Sequence, residues 1–488
     1  MPMKKILTFL LPLLAVAAGC SSGTASPCGE TPEPSRQRLF VLTDVENEPD
    51  DSQSLVRLML YSDVIDIEGI CATTSTHMRD AIHPETIFKI ISAYGQVRDN
   101  LLLHEDGFPD PDEMKAKVFR GQEGYGMSAT GQGCSSEGSR AIVEALRRDD
   151  PRPLWVTAWG GVNTLAQALC DLKESETPEN LATLISRLRV YTISDQDDSG
   201  IWIRRNFPGL FYIVSPGGYG NATWSGIMDA SCPLVDNSVI SNEWLAENIQ
   251  QGHGPLGACY PDVAYGMEGD TPSWLGLIPN GLSDMEHPDW GGWGGRYEIS
   301  RPVAADCDPH GFNGGVPIED EPRDIWTNAI DEYFPYSYNA YGKAVRRSRI
   351  SEKGYKVTQY RWREDYQNDM AARMDWCTMS YAEANHPPVP VLVSPQRLSV
   401  KSGEWFVMDA SASYDPDGDS LSYLWFNYPE AGSLDTPVPI EGAENIHRVK
   451  VRAPQTEVPA TLHFILRLSD KGKPSLSRYK RIIVEVTP

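Results

Sequence analysis

Basic charge is scarce in this sequence. Lysine and arginine together number 43 against 67 aspartates and glutamates, for a formal net charge of −24. So acidic a chain excludes nucleic acid and anionic headgroups as partners, and suits neutral sugars and bound cations. Long apolar runs are also scarce. The run at the start, Ile6 to Ala18, falls short of the ~20 residues a spanning helix needs. The cysteines contain no C-x-x-C pair, which removes the usual zinc spacing. Apart from Cys20 they are scattered at 28, 71, 134, 170, 232, 259, 307 and 377. An exported compartment would permit disulfides, with one or two bridges expected at most and no pairing legible.

What is present begins with a targeting segment. Lys4 and Lys5 precede the apolar run, which ends in Ala17-Ala18-Gly19-Cys20. This reads as a bacterial lipoprotein signal over 1–19, cleaved before Cys20, which then carries the lipid; an ordinary secretory signal is the alternative. Either way the mature protein is expected outside the cytoplasm, at the outer membrane or cell surface. Residues 20–37, rich in Ser, Gly, Pro and Thr, read as a tether. A proline-rich linker at 385–390 separates a domain over 38–384 from a second over 391–488. In the second, short β-branched and aromatic runs at 405–408, 421–426, 447–451, 460–468 and 479–486 alternate with turns. That spacing predicts a small β-sandwich of immunoglobulin type.

The first domain is organised around Arg38 to Tyr61. Leu39-Phe40-Val41-Leu42 suits a buried strand, and Leu55, Leu58, Met59 and Tyr61 recur at helical spacing. Between them Asp44, Glu46, Glu48, Asp50 and Asp51 crowd five carboxylates into eight residues. Such a loop, at the carboxyl edge of an α/β sheet, either holds a hard divalent cation, calcium first, or is a solvated acidic loop capping the helix. The pattern continues with a strand over 64–74 followed by His77, a candidate substrate contact, a helix over 86–94 and a third strand over 100–104. Gly121 to Gly133 lacks the strand-to-helix context of a phosphate loop and reads as a loop over the site. A helix over 136–148 follows. The strand 154–158 runs into Gly160-Gly161-Val162-Asn163, where glycines let a backbone carbonyl turn inward; a simple helix-capping turn would look the same. The strand 188–194 runs into Asp197, Asp198, Trp202, the pair Arg204-Arg205, and Asn206. This is either a sugar-binding wall or a salt-bridge patch. Trp290 and Trp293, in a glycine-rich loop after His287, suit stacking on saccharide rings, with packing into the core as the alternative; His287 is a candidate acid. Residues 325–344 read as helical, and 360–376 as one helix closing the domain.

Asp44 to Asp51 resembles the D-x-D-x-x-x-D-D signature of nucleoside hydrolases, with Glu46 where that family has its second Asp. More closely, TDVENEPDDSQSLVRLMLYSDVIDIEGI resembles the nucleoside-hydrolase-like domain of bacterial proteins known as cellulose-binding, over most of 38–386. The resemblance implies an open, mainly parallel α/β sheet flanked by helices. It implies a Ca2+ site built from Asp44, Glu46, Asp51, Asn163 and Asp270, with Asp50 as the base. Asn206 resembles the ribose-contacting Asn of nucleoside hydrolases, and together with Glu48, His77, Asp197, Asp198, Trp202, Trp290 and Trp293 it is expected against a carbohydrate substrate. Two departures stand out. Gly269 replaces the histidine that acts on the leaving base in nucleoside hydrolases, and Arg204 replaces a ribose-contacting glutamate. Asp409 to Asp419, with its D-P-D-G-D turn, resembles PKD-like immunoglobulin-fold modules, which bind calcium, bind polysaccharide, or act as spacers. The implied activity is a calcium-dependent glycosidase acting on a furanosyl or related sugar. The alternatives are a non-catalytic saccharide-binding lipoprotein and a nucleoside N-ribohydrolase.

Overall fold

Along Gln37–Thr43 (β1), Leu39 and Val41 bury into one hydrophobic core while Phe40 and Leu42 bury into another. The strand therefore lies at the centre of a sheet covered on both faces. The computed structural model describes residues 36–488 except 218, 308–315, 317, 335, 339–343, 347–350 and 442–444. The lipoprotein signal, Cys20 and nearly all of the tether lie outside the described residues. Helix α1 (Pro49–Leu60) follows β1, starting with Pro49, which is pre-set for a first helical turn. Ile65–Ala72 (β2), helix α2 (Pro84–Leu101), Val118–Arg120 (β3), Leu154–Ala158 (β4), Leu188–Thr192 (β5), Phe211–Val214 (β6), Tyr297–Ser300 (β7) and Ile325–Asn328 (β8) complete the framework. The sheet order is β3-β2-β1-β4-β5-β6-β8-β7, with only β7 antiparallel. The order reverses between β1 and β4. In such a sheet the crevice outside the carboxyl ends of those two strands is where ligands bind.

Three expected elements differ. Residues 100–104 are not a strand: α2 continues through Leu101, with Leu101 buried in the core, and the third strand is the short β3. Among the described residues of 325–344 there is no helix. They form β8 and the short strands Asp331–Tyr333 and Tyr336–Tyr338, because β8 can pair with both β6 and β7 and its Ile and Thr are better placed on a pleated surface than in a helix. The expected helix at 360–376 is broken after Val357–Tyr360 and resumes at Arg363–Asp375.

The C-terminal part has a four-stranded sheet of Arg397–Lys401, Ser477–Thr487, Ala460–Ser469 and Ser422–Asn427. It faces a three-stranded sheet of Trp405–Asp409, Arg448–Arg452 and Ile440–Glu441. Phe464, Leu466, Ile482 and Val484 fill the space between them. The other face of the four-stranded sheet is apolar too: Leu424, Phe426, Ile465 and Tyr479 join the core of the α/β part. Residues 36–488 form one compact unit.

Candidate metal centre

Asp44, at the end of β1, is 2% exposed, and its Oδ2 has no hydrogen-bond partner. The Ser75 hydroxyl, from the loop after β2, supports it. Asp50 and Asp51 lie in the first turn of α1, where the helix N-terminus favours negative charge. Asp51 is buried and accepts from Thr43 Oγ1. Asp270 arrives from far along the chain and is 4% exposed, and its Oδ2 is also buried without a partner. One carboxylate oxygen from each of Asp50, Asp51 and Asp270 lies within 4.8 Å of the others. The turn carrying Asp270 is built on a strained residue: Glu268 has φ 49°. Its carboxylate pairs with the buried Arg57 at 2.5 Å and accepts from Tyr260 Oη and Thr271 Oγ1, both at 2.8 Å, while its N–H donates to Gln53.

The electrostatics follow from this packing. Burial pushes Asp44, Asp51 and Asp270 above the ordinary carboxylate range. Asp50 is pushed up to about 7, first by burial and then by the charges of Glu48 and Asp44. Glu48, half-buried at the start of α1, raises all four. Carboxylates held this close cannot all ionise without a cation. The donor set is entirely oxygen, and two buried oxygens lack partners, so the residues fit a hard divalent ion such as Ca2+.

The other expected residues divide into those brought to this cluster and those kept from it. Glu46 turns away: at φ 82° its carboxylate pairs with His83 at 3.2 Å and accepts from Thr86 on α2. Engaged by these two partners, Glu46 does not join the carboxylate cluster expected to include it. Gly160 and Gly161 carry the β4 loop against the site. A Cβ on Gly160 would lie 2.5 Å from Asp44 Oδ1, and one on Gly161 would lie 2.6 Å from Asp197 Oδ2. Asn163 begins the next helix, its N–H donating to Asp197 at 3.0 Å and its side chain to Gly124 O at 2.8 Å. Asp197 is buried and also accepts from the Ser199 N–H at 2.8 Å, so it clamps two loops together rather than facing a substrate. Asp198 similarly accepts from the Met127 N–H. The arginines pair elsewhere, Arg204 with Asp195 and Glu321, and Arg205 with Glu319.

Four expected substrate contacts and the expected acid are engaged elsewhere. Trp202 packs on Phe207 against the second core, and Asn206 donates to Trp202 O within its own helix. Trp293 is fully buried, its Nε1 donating to Tyr479 Oη at 3.3 Å. Trp290 stacks on His287 at 4.0 Å and meets His463 edge-on, so both belong to the seat of the C-terminal sheet. Neighbouring Glu286 pairs with Arg189 at the amino end of β5, the opposite edge of the sheet from Asp44. His287 therefore cannot act at the carboxylates.

His77 does reach the site. It is exposed, bears electrostatically on Asp44, and lies 3.1 Å from Tyr219 Oη through Nε2. Tyr219 and Trp224 were not legible as site residues. They lie in an irregular segment after β6, and only the rule that strand-end loops face the crevice pointed there. Their rings meet at 5.7 Å, and the charges of Asp44, Glu48 and Asp270 all bear on Tyr219. At Gly269 a Cβ would lie 2.9 Å from Asp50 Oδ2, 3.1 Å from Met228 and 3.3 Å from Trp224. The space for a side chain there is already filled.

Residues 38–297 match the model of the family described as cellulose-binding Sde182, nucleoside hydrolase-like domain. The chain belongs to this family. Residues 405–486 match a second model, described as cellulose-binding protein Sde0182, C-terminal domain. The chain is similar to a solved structure from Saccharophagus degradans, described as a nucleoside hydrolase-related hypothetical protein associated with carbohydrate metabolism. Identity is 33% over 93% of this chain and 100% of that one, with a TM-score of 0.76. The effector protein XOO4466 follows at 11% identity over 59% of this chain and 89% of that one, with a TM-score of 0.31. The type III effector XopQ, complexed with adenosine diphosphate ribose, stands at 12% over 51% and 68%, with a TM-score of 0.29. Neither effector likeness bears on function at that level. No curated protein matches the sequence. Membership of the family gives the protein a nucleoside-hydrolase-like fold.

Proposed function

We propose that this protein is a calcium-dependent glycosidase that hydrolyses the bond to a furanosyl or related sugar in an oligosaccharide or polysaccharide. The observation that carries this reading is the pair of buried, unpartnered oxygens, Asp44 Oδ2 and Asp270 Oδ2, beside Asp50 and Asp51. Asp44, Asp51 and Asp270 would hold the ion, with the Asn163 loop beside them. When bound, calcium would grip a vicinal diol of the sugar and polarise the attacking water. Asp50, the half-buried member, takes the water proton as general base. Glu48 faces the sugar hydroxyls, and the surrounding anions stabilise an oxocarbenium-like transition state. Gly269 offers no imidazole to a leaving base, and Trp224 and Met228 occupy its space, which favours O-linked glycan over nucleoside. Export as a lipid-anchored surface protein through Cys20 fits a glycan substrate.

A saccharide-binding protein without catalysis is the second reading, favoured by the cellulose-binding description of both matched families. Asp50 separates the two. Pentofuranosides, hexosides and nucleosides assayed with calcium and with chelator should show chelator-sensitive glycoside hydrolysis that Asp50→Asn abolishes. In that variant calcium should still raise the melting temperature, by about 2.7 kcal/mol of stability at a hundredfold excess over Kd. Rapid release of base from inosine or uridine with inert glycosides would restore nucleoside hydrolysis. Sugar binding without any turnover would favour the binder.

A further inference from the structure

Breaking a glycosidic bond sends the bonding pair to the leaving oxygen, which needs a proton unless it is already a good leaving group. In the hydrolytic reading, Asp44, Asp51 and Asp270 would hold the cation and Asp50 takes the proton of the water. Gly269 has no side chain, and His287 lies at the opposite edge of the sheet. His83 is held by Glu46. Burial pushes the Tyr219 hydroxyl up to about 12, so it keeps its proton. His77 is different: it is exposed to solvent, and its charge bears on Asp44 of the cluster.

We infer that His77, oriented by Tyr219, is the acid that protonates the leaving oxygen. The inference rests on the hydrolytic reading above. The geometry has three parts. His77 Nε2 is engaged by Tyr219 Oη at 3.1 Å, with the rings tilted at 60°, which leaves Nδ1 to face a substrate. Tyr219 is braced edge-on by Trp224, whose ring reaches to 3.3 Å from a Cβ position at Gly269, beside Asp50. The His77 backbone is pinned by its N–H donating to Ser75 Oγ at 3.1 Å, and Ser75 also supports Asp44. Acid, base and metal ligands thus share one continuous wall: Asp44, Ser75, His77, Tyr219, Trp224, Gly269, Asp50. In the reaction the bond from the anomeric carbon to the leaving oxygen breaks, and the His77 proton goes to that oxygen. Water adds its hydroxyl to the anomeric carbon and its proton to Asp50. Exchange with solvent then returns a proton to His77 and removes one from Asp50.

The test compares the wild type with His77→Gln and Tyr219→Phe, with calcium, on two substrates of one sugar: an alkyl or oligosaccharide glycoside, and the p-nitrophenyl glycoside. The latter leaves as a weakly basic phenolate and has little need of an acid. For His77→Gln, kcat should fall by about 10²–10³ on the first, in the range expected of a lost general acid, and about tenfold or less on the second. Tyr219→Phe should show the same selectivity with a smaller loss, and calcium should stabilise both variants as it does the wild type. Equal losses on the two substrates would overturn the assignment of His77 while leaving hydrolysis standing. A wild type that binds calcium yet hydrolyses neither substrate would overturn the hydrolytic reading, and this inference with it.

Discussion

Asp50 and its neighbours make stability depend on pH in a direction opposite to that of most carboxylates. A salt-bridged carboxylate stabilises the fold when ionised, whereas burial and like charge push these four above their ordinary range. The folded, metal-free protein therefore holds their protons more tightly than the unfolded chain does. That contribution is fully present below the unfolded value near 4, and it is lost as pH rises through about 7 for Asp50. Thermal melts of chelator-treated protein should show a falling midpoint across this window, and saturating calcium should remove the fall. A midpoint that is flat across the window without metal would mean the carboxylates are already neutralised by another route.

Loops at the carboxyl ends of β1 and β4 form the floor of the site, and glycine sets how closely they approach. A Cβ on Gly160 would meet Asp44 Oδ1, Cγ and Cβ at 2.5–2.7 Å, against a buried side chain with no room to withdraw. Gly160→Ala should therefore cost about 1–3 kcal/mol of stability, as overpacking does. It should also abolish the calcium-induced rise in melting temperature although every carboxylate remains. Gly209→Ala, where a Cβ meets no atom within 4 Å, is the control and should change neither. Retained calcium stabilisation in the Gly160 variant would mean that Asp44 does not ligate.

The whole molecule is held together by the apolar and charged joint between the α/β part and the C-terminal sheet. Trp293 lies against Tyr366 and Tyr479 in that joint. Around it Asp365 accepts from Arg467, Ser477 and Tyr479, Asp369 pairs with Arg478, and Arg481 donates to the carbonyls of Leu282 and Gly291. A joint this buried couples the two parts, so heat should unfold residues 36–488 in one cooperative transition. Trp293→Ala should lower that single midpoint through a loss of about 3–5 kcal/mol. A separate early melt of the sandwich, with the α/β part intact, would contradict the coupling.

Local pattern alone marked most of the strands and helices, but not the strand β8 or the full length of α2. Apolar runs marked β1, β2, β4 and β5, helical spacing marked α1, and the five carboxylates of the Asp44–Asp51 loop stood at a strand end, where α/β sheets place ligands. The C-terminal runs matched their strands to within a residue or two, because alternation is read over a few neighbours. Tertiary structure decided what depends on long-range approach. It brought Asp270 across more than two hundred residues to Asp50 and Asp51, turned Glu46 out to His83, and set Tyr219 and Trp224 beside the cluster. It also drew Trp290, Trp293 and His287 away to seat the second sheet. An aromatic residue in a glycine-rich loop looks the same in sequence whether it will stack on a sugar or on another strand. Only the surface that finally covers it makes the difference, and that surface comes from residues far away in the chain.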